Sequence, residues 1–160
     1  MKTDIARLGT PSLILDIERV RRNAESMAAR AARLGVRLRP HIKTHKCIEV
    51  GRIQTAAHNG AITVSTLAEA HAFYANGFDD ITYAVPIEPG KFADAIDILR
   101  SGVTLNLLTD DAETAKQLDE TAGRAGVKFD VFVKIDCGTH RVGVEPHTAE
   151  AIDTPRQLAD

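Results

Sequence analysis

A chain of 160 residues with 44% hydrophobic and 26% charged residues and a formal net charge of −2 has the composition of an ordinary globular domain, which excludes a disordered chain and a dedicated nucleic-acid or membrane-surface protein. The opening residues Met1-Lys2-Thr3-Asp4-Ile5 carry no apolar signal core, and no apolar run approaches the roughly 20 residues of a membrane span. Cys47 and Cys137 stand far apart without a CxxC pattern, so the expected compartment is the reducing cytoplasm and both read as small hydrophobes.

In chain order, Leu13-Ile14-Leu15 reads as a short apolar strand after Thr10-Pro11. A long helix over 17–34 follows, with Val20, Ala24, Met27, Ala28 and Ala31 at helical spacing, and Gly35 closes it. A strand over 38–43 precedes a helix over 47–58. Residues 61–65 form the next strand. Thr66 caps a helix over 67–76, with Glu69 placed for a capping box. Then come a strand over 80–85, a helix over 91–100 and a strand over 103–108. Asp110 or Asp111 caps a helix running to Arg124, with Gly126 as its stop. A strand over 129–135 and a helix starting near Thr148 complete the pattern. Strands alternating with amphipathic helices predict βαβ units and a parallel sheet. Neither GxGxxG after the first strand nor GxxxxGK[ST] occurs, which removes support from nucleotide-binding open sheets. The expected fold is α/β, a partial (β/α)8 barrel with about five strands, since a complete barrel takes about 250 residues.

The most telling segment is Arg39-Pro40-His41-Ile42-Lys43-Thr44-His45-Lys46. As a strand it puts Leu38, Pro40 and Ile42 on one face and Arg39, His41 and Lys43 on the other. A packed core does not select three cationic or ionisable side chains in a row, because desolvating each costs several kcal/mol. Such a row belongs to solvent or to a site that uses a lysine. Lys43, at the strand's C-terminal end, is the candidate nucleophilic amine, with partial burial and cationic neighbours expected to favour its neutral form. His41 and His45 bind metal together only on a helix. Pro40 and the strand-like start place a strand and turn there, so this chain is assigned no metal ligand, and a stacking or hydrogen-bonding role beside a cofactor is expected for His41 instead.

The second dense region is Lys134-Ile135-Asp136-Cys137-Gly138-Thr139-His140-Arg141-Val142-Gly143. A strand enters a glycine-bracketed turn, with Phe132, Lys134 and Asp136 expected inward. Arg141 is placed to offer its fixed fork to an anionic oxygen, or else to pair structurally with Asp136. Ser65, Thr66 and Tyr83 are expected to add hydroxyls at the same rim.

Together Thr10-Pro11-Ser12-Leu13-Ile14-Leu15-Asp16, the Arg39–Lys46 segment, Ser65-Thr66-Leu67-Ala68-Glu69-Ala70 and Lys134–Gly143 resemble the fold-type III pyridoxal-phosphate enzymes, the alanine-racemase-like barrels, in the D-threonine aldolase and D-serine dehydratase branch. The resemblance implies that Lys43 carries pyridoxal 5'-phosphate as a Schiff base and that Arg141 lies by the cofactor's phenolic oxygen. It implies a lyase acting on 3-hydroxy D-amino acids, with retro-aldol cleavage and dehydration as the two reactions. An amino-acid racemase, a non-catalytic pyridoxal-phosphate homeostasis protein and an inactive fragment are the alternatives. It also implies that residues 1–160 are the N-terminal part of the barrel, that the strand within 1–17 belongs beside a C-terminal β domain absent here, and that any divalent metal is held by that absent domain. The expected partners are a small-molecule D-amino acid and a second copy of the full-length chain, with no nucleic acid or membrane.

Overall fold

The computed structural model describes residues 4–158; residues 1–3 and 159–160, which the sequence reading includes in the opening stretch and the last helix, lie outside the described residues. Six α-helices and four strands alternate among the described residues: α1 Ile17–Arg33, α2 Ile48–Thr55, β1 Ile62–Val64, α3 Leu67–Tyr74, β2 Asp80–Pro86, α4 Phe92–Arg100, β3 Thr104–Thr109, α5 Ala112–Ala125, β4 Asp130–Val133 and α6 Glu150–Arg156. The strands form one parallel sheet in the order β1-β2-β3-β4, each joined to the next by a helical crossover. The fold class is therefore α/β, as expected, and the sheet is an arc of a barrel.

Side-chain oxygens start the helices and glycines stop them. Asp16 accepts from the Arg19 N–H at 3.0 Å and opens α1. Gly35, at φ 65, ends it, and the Val36 N–H returns to the Ala31 carbonyl. Thr66 accepts from the Glu69 N–H at 3.0 Å, and Asp111 accepts from the Thr114 N–H at 2.6 Å. Of the two aspartates expected at α5, Asp111 is thus the cap, and Asp110 has another task described below.

Register gives the sheet two unlike faces. Ile62 pairs with Ile81, and Ile81 with Leu105, while Leu107 pairs with Val131. These residues face the helices and pack with Leu67, Ala70, Phe73, Ala95, Ile98 and Leu118 into one core. Phe73 and Phe78 meet edge to face at 5.1 Å, a favourable aromatic geometry. Gly51 of α2 lies so close to that pair that an added Cβ would stand 2.8 Å from a Phe73 ring carbon. The opposite face carries the row Thr63, Thr82, Asn106 and Asp130, in register across all four strands. A polar row on the inner face of a parallel arc is what a barrel with a site at its mouth requires. Phe132, on the same face, is 57% exposed.

Two expected strands differ. Residues 13–15 are extended but unpaired among the described residues, with Leu13 92% exposed. The expected strand over 38–43 shortens to a single bridge, His41 to Thr63, after which Ile42–Thr44 winds into a 3-10 turn. Backbone bonding still places it beside β1: the Thr63 N–H donates to the Pro40 carbonyl at 2.8 Å and the Thr63 hydroxyl to the Arg39 carbonyl at 3.2 Å. Pro40 has no N–H for a rung before the bridge. None of the described helices is long and apolar enough to cross a membrane.

Candidate active site

The segment that looked like one cationic row resolves into three separate environments. Arg39 reaches across the small Ala61 to Asp80 at the start of β2, where the guanidinium donates to both carboxylate oxygens at 2.6 and 3.0 Å. This fork-to-fork pair sits at the base of the inner face, and each side chain is 26% exposed. Asn106 bonds the carbonyl of Ile81 at 3.3 Å and lies 3.5 Å from Asp80, so three neighbouring chain segments are tied at that level. Arg39 is structural.

His41 is bonded through both ring nitrogens. Nδ1 accepts from the Lys43 N–H at 3.3 Å, and Nε2 lies 3.2 Å from the Ser65 hydroxyl. With Nδ1 as an acceptor the imidazole is neutral, and Nε2–H donates to Ser65. Burial, and then the nearby Lys43 charge, push the His41 pKa below the ordinary histidine value; Glu69 and a backbone bond at Thr63 pull the other way without winning. The ring therefore braces the turn that carries Lys43. Lys43 itself is exposed rather than partly buried as expected, and among the described residues its amine has neither hydrogen bond nor ion pair.

The neighbouring amine is engaged. Lys46 Nζ lies 3.1 Å from Glu69 Oε1. Glu69 is 8% exposed, and its other oxygen accepts from the Ser65 N–H at 2.7 Å, which completes the capping geometry at the start of α3. Burial raises the Glu69 pKa, but the Ser65 N–H and the Lys46 ammonium outweigh it and hold the carboxyl below the usual range. His45 turns away from the mouth. Its Nδ1 accepts from the Cys47 N–H at 3.0 Å and its Nε2 bonds Gln54 at 2.8 Å, which leaves no metal pair with His41.

At the far end of the sheet, β4 leads into the glycine-bracketed turn. Asp136 organises it. Its Oδ1 accepts from the N–H groups of Gly138, Thr139 and His140 at 2.9, 3.0 and 3.1 Å, and its Oδ2 meets His140 Nδ1 at 3.1 Å. The Gly138 N–H is the foremost cause of a carboxyl pKa below the ordinary value. The return strand closes through Asp136 N–H to the Val144 carbonyl and Val144 N–H to the Lys134 carbonyl, both 2.9 Å. Gly143, at φ 110, passes so near this ladder that a Cβ would lie 2.7 Å from the Asp136 nitrogen. Its N–H donates to Asp110 at 2.9 Å, which binds the turn to the end of β3.

The Arg141–Asp136 pair weighed in the sequence does not form, because the backbone of the turn and His140 take the Asp136 oxygens. Arg141 is exposed and has no partner among the described residues. Tyr83 does not reach the rim. Its parity on β2 turns it toward the helices, where it is 1% exposed with the Lys91 ammonium 5.9 Å above its ring. Ser65 does lie at the rim, on His41, and Thr66 serves as a cap. Glu69, Asp80 and Asp110 were not singled out for these contacts. Glu69 was visible as a capping residue, whereas Asp80 and Asp110 act on partners more than thirty residues away, which no local pattern reveals.

Residues 15–159 match the alanine racemase N-terminal domain family model. The chain is 40% identical over 159 residues to the D-threo-3-hydroxyaspartate dehydratase of Delftia sp. (strain HT23), covering 99% of this chain and 40% of that protein. It is 40% identical over 159 residues to the D-serine dehydratase of Dictyostelium discoideum, covering 94% of this chain and 40% of that protein. Against solved structures, the Delftia dehydratase superposes with a TM-score of 0.90 at 38% identity, over 95% of this chain and 40% of that one. The D-threonine aldolase of Filomicrobium marinum gives 0.90 at 29% identity, over 98% and 42%. The chain spans about two fifths of the length of the relatives it matches. The match from Leu15 onward takes in both the lysine turn and the glycine-bracketed turn, and the chain belongs to the alanine racemase N-terminal domain family.

Proposed function

We propose that this chain is the N-terminal, cofactor-anchoring half of a pyridoxal-phosphate-dependent lyase acting on 3-hydroxy D-amino acids, with Lys43 as the amine that binds the cofactor. One observation carries the reading: of the two lysines at this rim, Lys43 is the one presented without a partner, on a turn braced by a neutral histidine. The relatives' names add the substrate class, since D-threo-3-hydroxyaspartate, D-serine and D-threonine all carry a hydroxyl next to the D-configured α-carbon. The family comprises both dehydratases and aldolases, so reaction and substrate side chain are set outside the residues they share.

The donor set fits the cofactor. A primary amine is needed for its aldehyde and a cation for its phenolic oxygen; Lys43, in the turn after the His41 bridge, and Arg141, in the turn beyond β4, are both exposed and without a side-chain partner among the described residues. Bound pyridoxal phosphate supplies a conjugated, electron-accepting ring beside the substrate's α-carbon. The chain's own residues do the rest. Lys43 Nζ would hold the cofactor and is placed to take or return a proton at the substrate's α-carbon. Arg141 offers its fork to the anionic oxygen without giving up its own proton. His41 keeps the Lys43 backbone in its turn, and its ring is available to stack near the cofactor.

The remaining strands, the C-terminal β domain beside residues 1–17, any divalent-metal ligands and the second subunit of a homodimer belong, in this reading, to the parent protein. The test is borohydride reduction of the full-length parent loaded with pyridoxal phosphate, followed by peptide mapping and by turnover of D-threonine, D-serine and D-threo-3-hydroxyaspartate with and without a divalent metal. A label on Lys43 that disappears in Lys43→Ala, with turnover of at least one substrate, is expected. A label absent from Lys43 overturns the assignment.

A further inference from the structure

Lys43 and Lys46 stand three positions apart at one strand end, so an aldehyde arriving at the mouth meets two primary amines. The structure treats the two differently. Lys43 lies in the Ile42–Thr44 turn, whereas Lys46 sits at φ 47, a left-handed conformation that a residue with a side chain adopts only when its surroundings hold it. Its N–H returns to the Ile42 carbonyl at 2.9 Å, and its side chain runs to the start of α3. There the partner is Glu69 Oε1, a solvent-shielded oxygen that no hydrogen bond satisfies; Lys46 meets it as an ion pair, off the direction of a hydrogen bond. The other Glu69 oxygen is fixed by the Ser65 N–H, and Ser65 in turn bonds His41, whose Nδ1 holds the Lys43 N–H. One buried carboxylate thus pairs with one lysine and, through three hydrogen bonds, braces the turn of the other.

We propose that Glu69 is a positioning residue that selects Lys43 over Lys46 for the cofactor, by pairing the Lys46 ammonium at the start of α3 while bracing the Lys43 turn; this rests on the reading of Lys43 given above. Condensation replaces the aldehyde's carbon–oxygen bond with a carbon–nitrogen double bond, the amine giving two protons to the oxygen that leaves as water. It needs no oxidant or reductant, but it needs an amine free to lose its proton and approach. A tethered ammonium meets neither condition.

Glu69→Gln tests this, because glutamine keeps an oxygen for the Ser65 N–H and removes the charge that holds Lys46. Two readouts on the full-length parent separate the questions. Competitive acetylation of the cofactor-free protein, read by mass spectrometry, reports amine reactivity without any cofactor. Borohydride fixation of added pyridoxal phosphate reports which lysine carries the group. In Glu69→Gln, Lys46 acetylation relative to Lys43 should rise about two- to five-fold, the factor expected for release of an ion pair of this exposure. The fixed cofactor should then divide between the two lysines. In the double variant Glu69→Gln/Lys46→Arg it should return to Lys43 alone, which a general collapse of the mouth would not allow. An unchanged acetylation ratio with all label on Lys43 overturns the role of Glu69 and leaves Lys43 standing. A wild-type protein that fixes no cofactor on Lys43 overturns the functional reading, while the acetylation ratio still decides whether Glu69 governs the two amines.

Discussion

Replacing Gly143 by alanine should open the Arg141 turn without unfolding the sheet. At φ 110 an alanine lies outside the left-handed well that side-chain-bearing residues tolerate. The added methyl would also stand 2.7 Å from the Asp136 nitrogen and 2.8 Å from the Ile135 carbonyl carbon. Both are backbone atoms in a ladder and cannot rotate aside. Unfavourable backbone geometry costs about 1–2 kcal/mol, and overpacking against fixed atoms about 1–3 kcal/mol. The sum, about 2–5 kcal/mol, corresponds to a roughly 30- to 5,000-fold loss of protection for amides that exchange by local opening. Those amides are Asp136 and Val144, which close the ladder, with Gly138, Thr139 and His140, which donate to Asp136. The assay is residue-resolved hydrogen exchange on the full-length parent, with the amides of Ile81 and Leu107 as internal references in the core. Unchanged protection at Asp136 and Val144, or an equal loss at Ile81 and Leu107, would refute the reasoning, the first by removing the strain and the second by making it global.

Arg39→Ala should lower stability by about 1–2 kcal/mol, because Asp80 keeps a part-buried charge without its fork while water reaches it from the open face; urea unfolding of the parent measures it, and a midpoint equal to wild type contradicts the pairing. Acid should loosen both turns. Glu69 and Asp136 are held below their ordinary values, so the unfolded chain binds more protons than the native one; the stability they confer is complete above about pH 4.5 and is lost as pH falls through the unfolded values toward the folded ones. His41 follows the same sign in a higher window: its lowered pKa means that its contribution is complete above about 6.5 and is lost as pH falls below that, when protonation of Nδ1 ejects the Lys43 N–H. Nitrogen chemical shifts of the imidazole should report titration below the ordinary histidine value, and a raised value contradicts the bonding. The 160-residue chain alone should associate through its open edges, where Phe132 is 57% and Ile135 41% exposed, and a monodisperse, cooperatively melting monomer in size-exclusion and calorimetry overturns that expectation.

The helix-facing half of the fold was legible because it depends on local rules. Alternate apolar positions in β1 to β3 (Ile62 and Val64, Ile81 and Tyr83, Leu105 and Leu107), oxygen caps at Asp16, Thr66 and Asp111, and the left-handed stops at Gly35 and Gly126 are each written within a few residues. The lysine strand was legible in place but not in form. Polarity marked its inner face, yet only the His41–Thr63 bridge forms: Pro40 has no N–H for a rung before it, and Ile42–Thr44 winds into a turn after it. The partners of that face were not legible. Arg39 with Asp80, and Gly143 with Asp110, join segments 41 and 33 residues apart, and nothing near either residue in sequence names the other. Tyr83 failed for a simpler reason: its hydroxyl suggested the rim, but its parity on β2 assigns it to the core.

These contacts divide the work of the chain between its two faces. The helix side is complete in itself, with Ile62, Ile81, Leu105 and Leu107 nearly free of solvent although the chain spans about two fifths of its relatives' length. The inner side holds polar groups that are mostly satisfied by one another, Arg39 with Asp80, His41 with Ser65, Lys46 with Glu69 and Asp136 with its own turn. On that side Lys43, Lys134 and Arg141 have no side-chain ion pair or hydrogen bond among the described residues. The function proposed above gives Lys43 and Arg141 an anionic, aldehyde-bearing ligand.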